Sequence, residues 1–110
     1  MRSTNILPSH IAAKSISESE IVLPITEALE AINFLESKHV QILGWEGLVR
    51  TANGSLGHGN APQGTASLEN VTDQAAAQLC RSTMEEAHTL WTQENAGATD
   101  ELYFCITVRV

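Results

Sequence analysis

The sequence has little positive charge. It contains six Lys and Arg against thirteen Asp and Glu, which gives a formal net charge of -7 at pH 7. The six basic residues are scattered along the chain, so there is no basic patch that could hold a polyanionic nucleic acid or an anionic membrane surface. The charge therefore predicts a basic partner and argues against nucleic acid as a ligand.

Long apolar runs are also missing. No stretch approaches the roughly twenty apolar residues that a membrane helix needs. The apolar start at Ile6 and Leu7 is interrupted at once by Pro8, Ser9 and His10, which leaves no signal-peptide core. We therefore expect a cytoplasmic protein, and 110 residues with 43% hydrophobic content predict a single domain over residues 1–110.

Cysteine and histidine are too few and too dispersed to predict a cofactor site. Cys80 and Cys105 each lie in an apolar periodic segment, as expected of buried free thiols. The single Glu85-x-x-His88 motif is typical of neighbours on a helix surface, and no two histidines lie at the spacing of metal ligands. We expect neither a metal nor another cofactor. The histidines are His10, His39, His58 and His88.

The first half of the chain predicts a helix that follows a short extended segment. Pro24 suits the first turn of a helix, and apolar residues then recur at helical spacing. They are Ile25, Ala28, Leu29, Ile32 and Leu35. The preceding Ile21-Val22-Leu23 is an edge strand or an extended lead-in, and residues 7–14 favour a short helical turn.

The middle of the chain predicts a β-hairpin. Residues 40–50 are rich in strand-forming side chains, and Gly44 and Gly47 indicate a bulge or a close backbone approach. Asn53-Gly54 is a strong turn signal, so residues 55–58 should return antiparallel. Residues 59–67 are then a loop, followed by a short extended piece at residues 66–68.

A second helix and a final strand complete the predicted fold. Asn70, with Asp73 three residues later, is the expected N-cap, and the helix should end between Asn95 and Gly97. Its apolar face is predicted to comprise Ala76, Leu79, Cys80, Thr83, Met84, Ala87, Leu90 and Trp91. Residues 102–110 alternate as a strand with Leu102, Phe104, Ile106 and Val108 on one side. The fold class is α+β, a two-layer sandwich with an antiparallel sheet and two main helices on one face.

The hairpin gathers several side chains that could carry chemistry. Trp45 and Glu46 are adjacent on a strand and face opposite sides, so a buried Trp45 would leave Glu46 exposed. The local sequence places neither an acid nor a nucleophile beside His58, which favours a surface histidine over a catalytic one. The glycines lack the Gly-Lys-Ser/Thr ending of a phosphate loop.

Several segments together resemble one family. In these segments the chain is similar to small bacterial immunity proteins encoded beside polymorphic toxins, such as those of contact-dependent growth inhibition. The segments are Ile21-Val22-Leu23-Pro24 with the helix Glu27-Ala28-Leu29-Glu30-Ala31, Leu43-Gly44-Trp45-Glu46-Gly47, Asn53-Gly54 with Gly57-His58, Gln63-Gly64-Thr65 and Phe104-Cys105-Ile106-Thr107-Val108.

The resemblance implies a cytosolic protein, not an enzyme, that binds a cognate toxin domain and blocks its active site or substrate channel. The resemblance extends to immunity proteins whose toxins are similar to the pancreatic-type ribonucleases. The acidic charge agrees with such a partner, because nucleases are usually basic. Two other interpretations remain open: a small enzyme with Cys105 or His58 in a pocket beside the hairpin, and an acidic structural or assembly module.

The family offers no ligand motif to transfer, so contact residues have to be chosen on physical grounds. Exposed acids near the irregular segment before the second helix could lie where a nuclease expects phosphates. We predict Glu46, Glu69 and Asp73 as contacts, with Asn60 and Gln63 as hydrogen-bonding neighbours. Glu18 and Glu20 form a second acidic group. For any one of these carboxylates, an ordinary solvated surface group is the commoner interpretation. We expect a monomer.

Overall fold

Two long helices and a four-stranded sheet make up most of the chain in the computed structural model, which describes residues 3–65 and 67–109. The helices are α1 (Ser9–Ala12), α2 (Ile25–Ser37) and α3 (Asp73–Glu94). The strands are β1 (Ile21–Leu23), β2 (Gln41–Arg50), β3 (Leu56–Gly57) and β4 (Glu101–Arg109). Two 3-10 turns lie at Ser3–Ile6 and Leu68–Asn70.

All strand pairs are antiparallel, and the strand order is β1-β4-β2-β3. The long strands β2 and β4 pair in the centre, and the short strands β1 and β3 lie at the edges. Helices α2 and α3 pack on each other and on the same face of this sheet. The predicted α+β two-layer sandwich is therefore confirmed, with β1 as the expected edge strand.

A bulge in β2 decides which side chains reach the core. Ile42 pairs with Val108 and Gly44 with Thr107, so Leu43 is the extra residue. Strand side chains alternate between faces, and an unbroken strand would place Ile42 and Trp45 on opposite faces. The extra residue restores both to the helical side, where each is almost fully buried. The bulge predicted near Gly44 is confirmed.

The core lies between the sheet and the two helices. Its centre is Phe104, fully buried, with the ring of Trp45 5.1 Å away between centroids. Arg81 of α3 joins the helices at their edge by donating to Glu36 of α2 at 2.7 Å. The apolar side of β4 is as predicted, because Leu102, Phe104 and Ile106 are buried here and Val108 packs beside them.

The other face of the sheet has a small cluster of its own. Tyr103, Cys105 and Val22 are buried there, with Ile16 and Leu48 packed against them. The segment before β1 lies over this cluster through Ile16. It is attached to β1 by a hydrogen bond, in which the backbone N–H of Val22 donates to the Ser15 hydroxyl at 3.1 Å. On this side of β4 the central residues Tyr103 and Cys105 are well buried, whereas Thr107 and Arg109 near its end are exposed.

The start of α3 differs from the prediction. Asn70 does not cap the helix, because it belongs to the 3-10 turn Leu68–Asn70. The N-cap is Thr72, whose hydroxyl accepts from the backbone of Ala75 at 3.1 Å. The extended piece predicted at residues 66–68 is wrong at Ser67, which is left-handed, and at Leu68, whereas Ala66 lies outside the described residues.

The buried face of α3 is narrower than predicted. Ala76, Cys80 and Met84 are fully buried, but Leu79 and Leu90 are 41% and 50% exposed. Arg81 of α3 donates to Asn33 and Glu36 of α2, so α2 lies beside the first half of α3. Leu79 is exposed because it lies on a side of the helix that neither α2 nor the sheet covers. Two leucines predicted for the core therefore lie at the surface.

Candidate functional site

The loop of residues 58–65, called the crossing loop from here on, lies directly on strand β2. The backbone N–H of Trp45 donates to the carbonyl of Thr65 at 2.8 Å. A Cβ on Gly64 would lie 1.7 Å from the Trp45 carbonyl oxygen, and one on Gly47 would lie 2.6 Å from that of Pro62. Only glycine allows the two backbones to approach this closely. The close approach predicted at Gly47 is confirmed.

The other side of the crossing loop is tied to the end of α3. The Asn60 amide donates to the Asn95 side-chain oxygen at 2.8 Å, and the Trp91 indole donates to Asn60 at 3.3 Å. Asn95 in turn donates to the Trp91 carbonyl at 2.8 Å. These bonds hold the loop against the last turns of the helix. The side chain of Asn60, which was predicted as a hydrogen-bonding neighbour of the contact residues, therefore bonds within the fold.

A cavity of about 500 Å³ lies between the crossing loop and the second half of α3. We call it the loop–helix groove. Its volume lies within the roughly 300–1,000 Å³ that is usual for ligand pockets. Asn60, Pro62 and Gln63 form the loop wall. Glu86, Leu90, Trp91 and Glu94 form the helix wall, with Ala87 and Trp45 deeper in the groove.

The groove combines apolar surface with negative charge. Leu90 is 50% exposed and Trp91 is half-buried, whereas the carboxylates of Glu86 and Glu94 are at the surface. Among the described residues that line the groove, none is Lys, Arg or His. Between Arg81 and Arg109 the sequence itself has no basic residue other than His88. Among the described residues, neither Glu86 nor Glu94 forms an ion pair with a basic side chain.

The structure brings together three of the five predicted contact residues. Asn60 and Gln63 line the groove, and Gln63 also lines a second cavity of about 440 Å³ with Glu46 and His58. Glu46 is exposed on the sheet face away from the helices, as predicted from its position beside buried Trp45.

Glu69 and Asp73 lie elsewhere. Asp73 is in the first turn of α3, thirteen residues before Glu86 (86 − 73 = 13), which corresponds to about 20 Å along the helix axis. Glu69 is exposed in the 3-10 turn before it, where its carbonyl accepts from the Gln41 side chain at 2.8 Å. These two acids are separate from the loop–helix groove.

Glu86, Leu90 and Glu94 are groove residues that the sequence pattern did not single out. They recur every four residues, so they form one stripe along the helix. The one sequence feature that could have indicated them is a leucine with an acid four residues before it and another four residues after it. Leu90 was instead predicted to lie in the core, since its spacing also fits the apolar face.

The two cysteines are free, buried and on opposite sides of the sheet. Burial, and to a lesser extent the negative charges of Glu20 and Glu46, together raise the pKa of the Cys105 thiol to about 11. Burial also raises the pKa of Cys80, although the nearby Thr65 hydroxyl and Arg81 partly oppose it. Neither thiol has the lowered pKa of a nucleophilic cysteine.

These environments predict slow thiol chemistry. An aromatic disulfide reagent releases a coloured aromatic thiolate when a protein thiol attacks it. At neutral pH, the native protein should release almost none of this thiolate within minutes, whereas protein unfolded in urea should react at once. A pKa of about 11 in place of 9.0 leaves Cys105 with about a hundredfold less thiolate, so its rate should rise about tenfold per pH unit up to that value. Rapid reaction of one native thiol would favour the enzyme interpretation. The variants C80A and C105A identify which thiol reacts.

The groove supplies hydrogen-bonding amides, two carboxylates and an indole face. This set suits binding of a cationic, partly apolar surface. Within residues 3–65 and 67–109, no three His, Cys, Asp or Glu side chains come together in a way that could hold a metal ion. None of the helices in the same ranges is both long and apolar enough to cross a membrane.

Comparisons with known proteins add no relative from which a function could be transferred. No protein-family model matches the chain, and neither a curated protein nor a solved structure matches it significantly.

Proposed function

We propose that this protein is an immunity protein that binds a basic cognate toxin domain of the nuclease type and blocks its active site or substrate channel. The observation that carries the proposal is the loop–helix groove, where carboxylates without a basic neighbour flank exposed apolar side chains. Such a mixture is typical of protein-binding surfaces, in which an apolar centre is surrounded by polar groups.

The charge of the whole chain supports the same partner. At a net charge of -7, the protein attracts a basic domain over distances of about a Debye length, which raises the association rate. Arg50 pairs with Glu101 and Arg81 with Glu36, and because each pair cancels one positive and one negative charge, the net charge of -7 is carried by the other residues. A toxin that holds phosphates with Lys and Arg offers the complementary surface.

The enzyme alternative has less support. His58 and Glu46 share the second cavity, but Cys105 is buried with a raised pKa. A nucleophile needs the opposite shift, or a base within hydrogen-bond reach.

Titration calorimetry tests the proposal. We expect the adjacent reading frame to encode a large secreted protein, and the C-terminal domain of that protein is the partner to be measured at low salt. We expect a nanomolar dissociation constant that increases with salt, together with loss of toxin activity at equimolar protein. An unrelated basic protein of similar size controls for non-specific attraction and should bind at least a hundredfold more weakly. Absence of binding to the cognate domain at low salt would reject the pairing.

A further inference from the structure

The stripe Glu86-Leu90-Glu94 on α3 has a defined order and spacing of side chains in addition to its negative charge. Its two acids are eight residues apart (94 − 86 = 8), so they are separated by about 12 Å along the helix axis. Leu90 lies midway and is half exposed, and the indole of Trp91 lies next to it in the same groove. The order along the groove is therefore acid, apolar, acid.

We infer that the loop–helix groove binds a partner segment that presents two basic side chains about 12 Å apart with an apolar side chain between them. This inference rests on the proposed function, because it names the chemistry by which the toxin domain would be recognised. The spacing fits Arg or Lys at every second turn of a helix, or four residues apart on a strand.

Each part of this pattern has a partner in the groove. The outer basic groups meet the carboxylates of Glu86 and Glu94, and the central side chain covers Leu90. The aliphatic stem or guanidinium of one Arg can also lie over the Trp91 indole, an arrangement that favours cations over neutral groups of the same shape. The indole N–H already donates to Asn60, which fixes the orientation of the ring.

The opposite wall makes the groove suited to a segment rather than to a flat surface. Pro62 and Gln63 face the helix across the cavity, and Asn60 is tied to Asn95 at 2.8 Å. Because the loop is already held by these bonds, binding needs little ordering of the protein. Gln63 has an amide that can bond to the backbone of the bound segment.

The probe is an alanine-rich helical peptide with Arg, Leu and Arg at every fourth position, compared with the same peptide carrying citrulline in place of both Arg. Binding is followed by the amide and indole N–H signals of the 15N-labelled protein. We expect a saturable shift of the Trp91 indole signal, with the citrulline peptide at least about tenfold weaker because it lacks both charges.

Three substitutions test the carboxylates. E86Q and E94Q should each weaken the Arg peptide about threefold, as expected for a partly exposed ion pair, and the double variant about tenfold. E85Q is the matched control, because Glu85 is exposed and adjacent to Glu86 but lies outside the groove. It should leave the affinity unchanged.

Several results would overturn the inference. They are equal binding of the citrulline peptide, unchanged affinity of the E86Q/E94Q variant, shifts centred away from Trp91, and no shift at millimolar peptide. If this variant bound the cognate toxin domain as tightly as the parent protein, the inference would fail and the proposed function would stand. If the Arg peptide bound in the groove but the toxin domain did not bind, the proposed function would fail instead.

Discussion

Replacing Gly64 with alanine is expected to destabilise the protein by about 3 kcal/mol, at the upper end of the usual cost of overpacking. The new methyl group would lie 1.7 Å from the carbonyl oxygen of Trp45 and 2.5 Å from its carbon. Both atoms belong to the backbone of β2, which pairs with β4 along almost its whole length and cannot yield. The crossing loop has to lift instead.

Lifting the loop has two costs. It breaks the hydrogen bond from the Trp45 N–H to Thr65, worth about 1 kcal/mol, and leaves that donor without its partner. It also uncovers the Trp45 ring, which is only 4% exposed in the native structure. Urea unfolding followed by fluorescence measures the change, since it should move the midpoint without a large change in slope.

G57A is the matched control for G64A. A Cβ on Gly57 would meet nothing within 4 Å, so we expect a change within about 0.5 kcal/mol. If G64A were as stable as G57A and kept the hydrogen-exchange protection of the Trp45 amide, the crossing loop would not be seated on β2 as described. A loosened loop should also weaken partner binding at temperatures where G64A is still folded, because the loop forms one wall of the groove.

The periodic elements of the fold could be predicted because each depends on local spacing. Helix α2 and strands β2 and β4 have patterns that leave one face apolar, and all three were predicted near their observed bounds. The start of α3 was harder. Asn70 and Thr72 are both good capping residues, and the 3-10 turn at Leu68–Asn70, which buries Leu68, decides in favour of Thr72.

The exposure of Leu79 and Leu90 was not predictable from periodicity. A stripe of apolar residues every three or four positions indicates burial only where a partner element covers it, and neither α2 nor the sheet covers the side of α3 that carries Leu79 and Leu90. The pattern alone cannot distinguish a leucine in the core from a leucine in a surface groove. In this sequence, the acids Glu86 and Glu94 on either side of Leu90 are the feature that indicates its surface position.

The residues that line the groove could be predicted only in part. Asn60 and Gln63 were chosen because loops present side chains, and both line the groove. The position of Glu86 and Glu94 depends on the crossing loop folding back onto the end of α3, a contact between residues more than thirty positions apart, such as Asn60 and Asn95. No local pattern encodes such a contact. The roles of all five predicted contact residues remain predictions. They are Glu46, Asn60, Gln63, Glu69 and Asp73.

Association kinetics with the cognate toxin domain should separate the two groups of acids. E86K/E94K and E69K/D73K each change the net charge by +4, from -7 to -3 (−7 + 4 = −3). Long-range attraction depends mainly on this total, so both variants should associate about three- to tenfold more slowly at low salt. Both should also show a flatter dependence of the association rate on salt.

Dissociation should differ between the variants. Only E86K/E94K places positive charge inside the loop–helix groove, where it would oppose the basic side chains of the partner, and we expect its dissociation rate to rise about thirtyfold or more. E69K/D73K changes residues about 20 Å away along α3 and should dissociate as the parent protein does. Stopped-flow association and surface-immobilised dissociation measure the two rates.

The reverse result is equally informative. Faster dissociation of E69K/D73K, with E86K/E94K unchanged, would place the interface at the start of α3, at the residues first predicted from sequence.

Circular dichroism should show that both variants remain folded, because Glu86, Glu94 and Glu69 are exposed and Asp73 is half-buried. Asp73 also lies in the first turn of α3, where a negative charge favours the helix by about 0.5 kcal/mol. E69K alone avoids that loss, so its dissociation rate distinguishes a lost contact from a weakened helix.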